Sequence, residues 1–94
     1  MTFEEFKKSY TGNEPPVCLS LELKSLWYAA NDDWKKAHEL IQYEPGVKCA
    51  LIHAYLHRLE GDIGNADYWY SKAGSVRPLV PEYEEFELLV KAFI

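Results

Sequence analysis

His53-Ala54-Tyr55-Leu56-His57-Arg58-Leu59-Glu60-Gly61-Asp62, with Asn65-Ala66-Asp67-Tyr68-Trp69-Tyr70-Ser71-Lys72-Ala73-Gly74 just beyond it, is the stretch whose reading decides the fold. The first segment is apolar without two-residue alternation, and Gly61-Asp62 breaks it. The second spaces Ala66, Trp69, Tyr70 and Ala73 at helical intervals. The pattern predicts two helices joined by a tight turn. It also puts His53 and His57 one helical turn apart on a segment too apolar to be a solvated surface.

Proline and glycine divide the rest of the chain. Thr2-Phe3-Glu4-Glu5 fits a capping box for a short helix ending near Tyr10, and Gly12 with Pro15-Pro16 marks a loop. Leu19, Leu23, Leu26, Trp27 and Ala30 form a helical stripe, predicting a helix from about Cys18 to Ala30. Asn31-Asp32-Asp33 breaks that helix and caps a third, about Asp33 to Tyr43, where Trp34, Ala37, His38 and Ile41 share a face. The stretch quoted above gives helices from about Val47 to Leu59 and Ile63 to Ala73, with Gly74 as the C-terminal cap. A last helix from about Glu82 carries Phe86, Leu89, Val90 and Phe93. The expected class is all-α, with about six helices in one domain over residues 1–94. Residues 1–16 form a helix and a Pro-rich loop, 17–44 a first hairpin, 46–78 a second and 81–94 a terminal helix.

The two hairpins are related. A shift of 29 residues lays Leu23, Leu26, Trp27 and Ala30 on Ile52, Tyr55, Leu56 and Leu59. The same shift lays Asp33 on Asp62, Ala37 on Ala66 and Leu40-Ile41 on Trp69-Tyr70. Two αα-hairpins stacked side by side account for this, because one hairpin cannot bury both its faces alone.

Composition excludes several classes. A net charge of −5, with ten scattered Lys and Arg, argues against nucleic acid. The longest apolar run falls short of the roughly 20 residues that span a bilayer, so no membrane association is expected. No charged-then-apolar leader precedes Thr2, and Cys18 and Cys49 have no metal or redox spacing. Both are expected to be buried thiols of a cytoplasmic protein. No phosphate loop or nucleophile elbow is present. Tyr68 and Lys72 have the spacing of a short-chain dehydrogenase pair, but no Gly-rich strand–turn–helix accompanies them.

The second hairpin resembles a tetratricopeptide repeat. Ala54, Gly61, Ala66, Tyr70, Ala73 and Pro78 match that family's pattern of small, Gly, Ala, aromatic, Ala and Pro residues. The motif's leading Trp and Leu are Ala50 and His53 here, its Tyr is His57, and the 29-residue offset is shorter than the family's 34. The resemblance therefore covers one hairpin, about a third of the chain, and does not imply a peptide-binding solenoid. The wider pattern HAYLHR, EGD, NA, YWY and AG also resembles a group of small helical proteins from bacteria and some fungi. That likeness implies the fold and no activity.

The candidate functional residues are His38, His53, His57, Arg58 and Tyr68. Imidazoles at i and i+4 have Cβ atoms about 6 Å apart and can share one divalent ion, with His38 on the neighbouring helix as a third ligand. Glu39, Glu60 or Asp67 is available to complete such a set. The first expectation is plainer: the histidines fill space between helices, hydrogen-bonding to Tyr70 or a carbonyl. Burial would then lower their pKa values. Arg58 can clamp an anion or pair with Glu60 or Asp62. Tyr68, off the packing stripe, suits an exposed interaction anchor. Glu82, Glu84 and Glu85 are assigned to the helix dipole.

The leading functional expectation is a non-enzymatic protein-interaction module that uses no cofactor. It docks a protein partner or self-associates, with a homodimer seam on the terminal helix. The alternative is a ligand-binding or enzymatic pocket, metal-binding among its forms, built from His38, His53, His57 and Arg58.

Overall fold

A computed structural model describes all 94 residues. Six α-helices and a single turn of 3₁₀ helix make up its regular structure: α1 Phe3–Lys8, the 3₁₀ turn Ser9–Thr11, α2 Leu21–Ala30, α3 Trp34–Ile41, α4 Val47–Leu59, α5 Ile63–Lys72 and α6 Glu82–Phe93. None is long and apolar enough to cross a membrane.

The starts of α1, α2, α3 and α5 are set by side chains that satisfy otherwise orphaned backbone amides. In α1 the Thr2 amide donates to Glu5 Oε1 at 2.8 Å and the Glu5 amide donates to Thr2 Oγ1 at 3.1 Å, a complete capping box. Helix α2 begins three residues later than the apolar stripe suggests. Ser20 accepts from the Leu23 amide at 3.2 Å and fixes the start there. Cys18 consequently lies in the preceding turn and is exposed, whereas Cys49 is buried on α4. The expectation of two buried thiols is corrected at Cys18: only Leu19, its neighbour, turns into the core. Helix α3 likewise stops at Ile41, leaving Tyr43 exposed.

The 29-residue offset recurs in the backbone. Asp33 caps α3 by accepting from the Lys36 amide, and Asp62 caps α5 by accepting from the Asn65 amide. The Asp33 amide returns to the Tyr28 carbonyl at 2.9 Å, and the Asp62 amide to the His57 carbonyl at 2.9 Å. The residue before each cap is left-handed: Asp32 at φ 63° and Gly61 at φ 84°. Both hairpins thus turn through the same geometry, one with glycine and one with an aspartate in its place.

Helix α4 is the centre of the fold, packing against α2, α3, α5 and α6. Its Ile52 and Leu56 are fully buried with Leu26, Phe6 and Val90, while Ala54 meets Ala66 and Tyr70 of α5 in a second small cluster. Between α2 and α3 the buried Ser25 hydroxyl donates to the Ala37 carbonyl at 2.8 Å. Helix α6 lies against α1, α2 and α4 and buries Leu89 and Val90, closing the core. Because α4 is buried over most of Cys49 to His57, the polar residues in that span must find partners among its neighbours.

Candidate functional site

Residues 53 and 57 lie on the same face of α4, and this face meets α3 where His38 projects. His53 is 6% exposed and His57 7%, while His38 is half-buried at the edge of the cluster. The three rings touch: centroids are 4.7 Å apart for His38–His53, 5.3 Å for His38–His57 and 4.9 Å for His53–His57. His38 Nε2 and His53 Nε2 face each other at 3.0 Å, and one ligand nitrogen from each of the three rings lies within 4.8 Å of the others.

Each ring has its own support. The Trp34 indole stacks on His38 at 4.8 Å and 10°, and is itself fixed by its Nε1–H donating to the Leu56 carbonyl at 2.6 Å. Trp69 stacks on His53 at 3.9 Å and 17°. Glu60 Oε2 lies 2.6 Å from His57 Nδ1. Stacked aromatic planes and a charged hydrogen bond leave the imidazoles little freedom to rotate.

The electrostatics keep protons off two of the rings. Burial pushes His53 down to about 4, helped by the neighbouring His38 and His57. His38 is also held below its usual value, first by burial and then by His57, against a smaller opposing pull from Glu60 and Glu39. At neutral pH these two rings are therefore uncharged: one Nε2 donates its N–H to the other across the 3.0 Å contact, and the donor ring must shift that proton to Nδ1 before both Nε2 atoms can ligate. Neutral imidazoles converging on one point are the donor set that zinc, nickel and copper prefer.

Arg58 does not join this cluster. Its NH1 donates to Glu85 Oε1 of α6 at 2.8 Å and its NH2 to the Val80 carbonyl at 2.6 Å, so neither Glu60 nor Asp62 is its partner. Tyr70 donates its hydroxyl to Glu85 Oε2 at 2.6 Å rather than to a histidine. Burial first, and then this bond to Glu85, raise the Tyr70 pKa. Glu85, which the sequence reading assigns to the helix dipole, is 4% exposed and binds α6 to the second hairpin. Its spacing is the signal that could have found it: an acid four residues before Leu89 sits on the apolar stripe of α6. Asp67, one of the acids considered for a ligand set, pairs with Arg77 at 3.4 Å. Tyr68 is exposed at 55% and meets the histidines only through Trp69, whose ring it touches edge-on at 5.3 Å.

The chain finds no match among protein-family models, curated proteins or solved structures.

Proposed function

We propose that this protein binds a divalent transition-metal ion through His38, His53 and His57. One observation carries the reading: three nitrogens from two helices lie within 4.8 Å of one another, with His38 Nε2 and His53 Nε2 already at 3.0 Å. Tetrahedral zinc with Zn–N bonds of 2.0–2.1 Å needs ligand nitrogens about 3.3 Å apart. The His38–His53 pair is already near that spacing, and metal binding would draw the His57 nitrogen in from within 4.8 Å. Imidazole-only ligation favours zinc, nickel or copper over magnesium or calcium, which take oxygen donors. Three protein ligands leave a fourth position for water or an incoming donor.

A metal-by-metal thermal shift on chelator-treated protein tests this. Zinc or nickel raises the melting temperature of the wild type, magnesium does not, and His53→Gln/His57→Gln abolishes the effect. No stabilisation by any transition metal, with a double variant that merely melts earlier, would return the three rings to a packing role.

A second reading, a protein-interaction module on a tetratricopeptide-like hairpin, is favoured by the exposure of Tyr68 beside Trp69, with Leu79 fully exposed beyond them. Self-association through α6 would use its outer face, where Tyr83 and Leu88 are exposed. Sedimentation of the wild type and of Tyr83→Ser/Leu88→Ser measures the second case: an unchanged monomer mass in both excludes it.

A further inference from the structure

Glu60 is the C-cap residue of α4, with helical backbone angles of φ −82° and ψ −1°. That conformation folds its side chain back over the last turn, where position i−3 is His57. The result is the 2.6 Å approach of Glu60 Oε2 to His57 Nδ1. A carboxylate can only accept, so the hydrogen of this bond belongs to Nδ1. A neutral imidazole protonated at Nδ1 carries its lone pair on Nε2. His38 and His53 bring Nε2 to the cluster as well, since these are the atoms that face each other at 3.0 Å.

From this geometry we infer that Glu60 is the positioning residue of the metal site. The inference rests on the metal-binding reading above. Glu60 stays outside the coordination sphere, selects the His57 tautomer, and aims Nε2 at the point shared with His38 and His53. It also places a carboxylate beside a ligand set made of imidazoles alone. A carboxylate that receives the second ring N–H of a ligating histidine raises the basicity of the ligand nitrogen and fixes the ring's orientation. Glu60 suits this place: its side chain is 38% exposed and keeps its charge hydrated, while that of His57 is 8% exposed and depends on the one partner it has. Asp62, the other acid close to His57, is committed to capping α5. It leaves Glu60 as the acid that orients the ring.

The test pairs two readouts on the full chain. Long-range ¹H–¹⁵N spectra of chelator-treated protein report the His57 tautomer, and zinc titration calorimetry reports affinity. The wild type shows the Nδ1–H form. Glu60→Ala loses that bias and weakens zinc binding about 10- to 100-fold. In Glu60→Gln the amide oxygen still accepts from Nδ1–H, so the tautomer persists and the loss of affinity is smaller. Wild-type zinc affinity in Glu60→Ala, or an Nε2–H tautomer in the wild type, overturns the inference alone. A wild type that takes up no zinc overturns the metal reading itself, and this inference with it.

Discussion

Removing the Glu85 carboxylate tests how α6 is held. Glu85 is 4% exposed and receives two short hydrogen bonds, from Arg58 at 2.8 Å and from Tyr70 at 2.6 Å. Glu85→Ala leaves the guanidinium with only the Val80 carbonyl and the Tyr70 hydroxyl with no partner. Breaking one side of a buried pair costs about 3–5 kcal/mol, and the Arg58 side chain, 14% exposed, keeps enough water to place this case near the lower end. Glu85→Gln preserves shape and one acceptor and should cost about 1–2 kcal/mol. A domain of this size has a total stability of about 5–14 kcal/mol, so the alanine variant loses a large share of it and the glutamine variant a smaller, still measurable one. Urea unfolding followed by circular dichroism gives both values, and a cycle with Arg58→Met gives the coupling between the partners. A cost below about 1 kcal/mol for Glu85→Ala, or a coupling indistinguishable from zero, would refute the view that this polar clip holds α6 in place.

Two further predictions follow from the turn and the histidine cluster. His53 has a folded pKa of about 4 against an ordinary 6.5, so below about pH 6.5 the unfolded chain binds the proton that the native state resists. Stability is therefore fully present above that value and is lost as the pH falls toward 4. His53 alone accounts for about 2 kcal/mol by about pH 5, and the lowered His38 adds to it. Metal-free urea unfolding across this range should show the loss, and His53→Gln should flatten it; a curve that is level between pH 7 and 5 contradicts the assigned burial. At the first turn, Asp32 occupies the left-handed position that Gly61 fills in the second. Asp32→Gly should raise stability by about 0.5–1 kcal/mol, and a decrease would mean that the aspartate side chain contributes to the turn.

Much of the fold is legible in the sequence because its signals are local. Thr2 with Glu5, and Asp33 and Asp62 at equal offsets, mark helix starts through bonds that span three residues. The His53–His57 pair is equally local, and its third member follows from the adjacency of α3 and α4. Glu85 was not legible in this way. Its place on the apolar stripe marks it for burial, but its partner Arg58 lies 27 residues away on another helix, and only the placement of α6 over α4 brings the two together. The aromatic supports of the cluster are an intermediate case. The stripe positions of Trp34 and Trp69 mark them as packing residues, but their parallel seating on two imidazoles depends on side-chain rotamers: Trp34 stacks on His38 one turn along α3, and Trp69 reaches His53 across the α4–α5 hairpin. Arg58 neighbours His57 in sequence, yet successive residues on a helix face about 100° apart. That rotation separates the clip from the histidine cluster.

The seating of the tryptophans has an optical consequence. Of the three indoles in the chain, Trp34 and Trp69 lie flat on His38 and His53, while Trp27 is buried in the core with its Nε1–H donated to Ser9. A protonated imidazole in van der Waals contact with an indole quenches its emission, and so does a bound copper or nickel ion. Two of the three fluorophores therefore report on the state of the cluster, and the third supplies an internal reference. The native protein needs no label: its own emission spectrum is expected to report protonation of the imidazoles, and it tests the proposed metal binding directly.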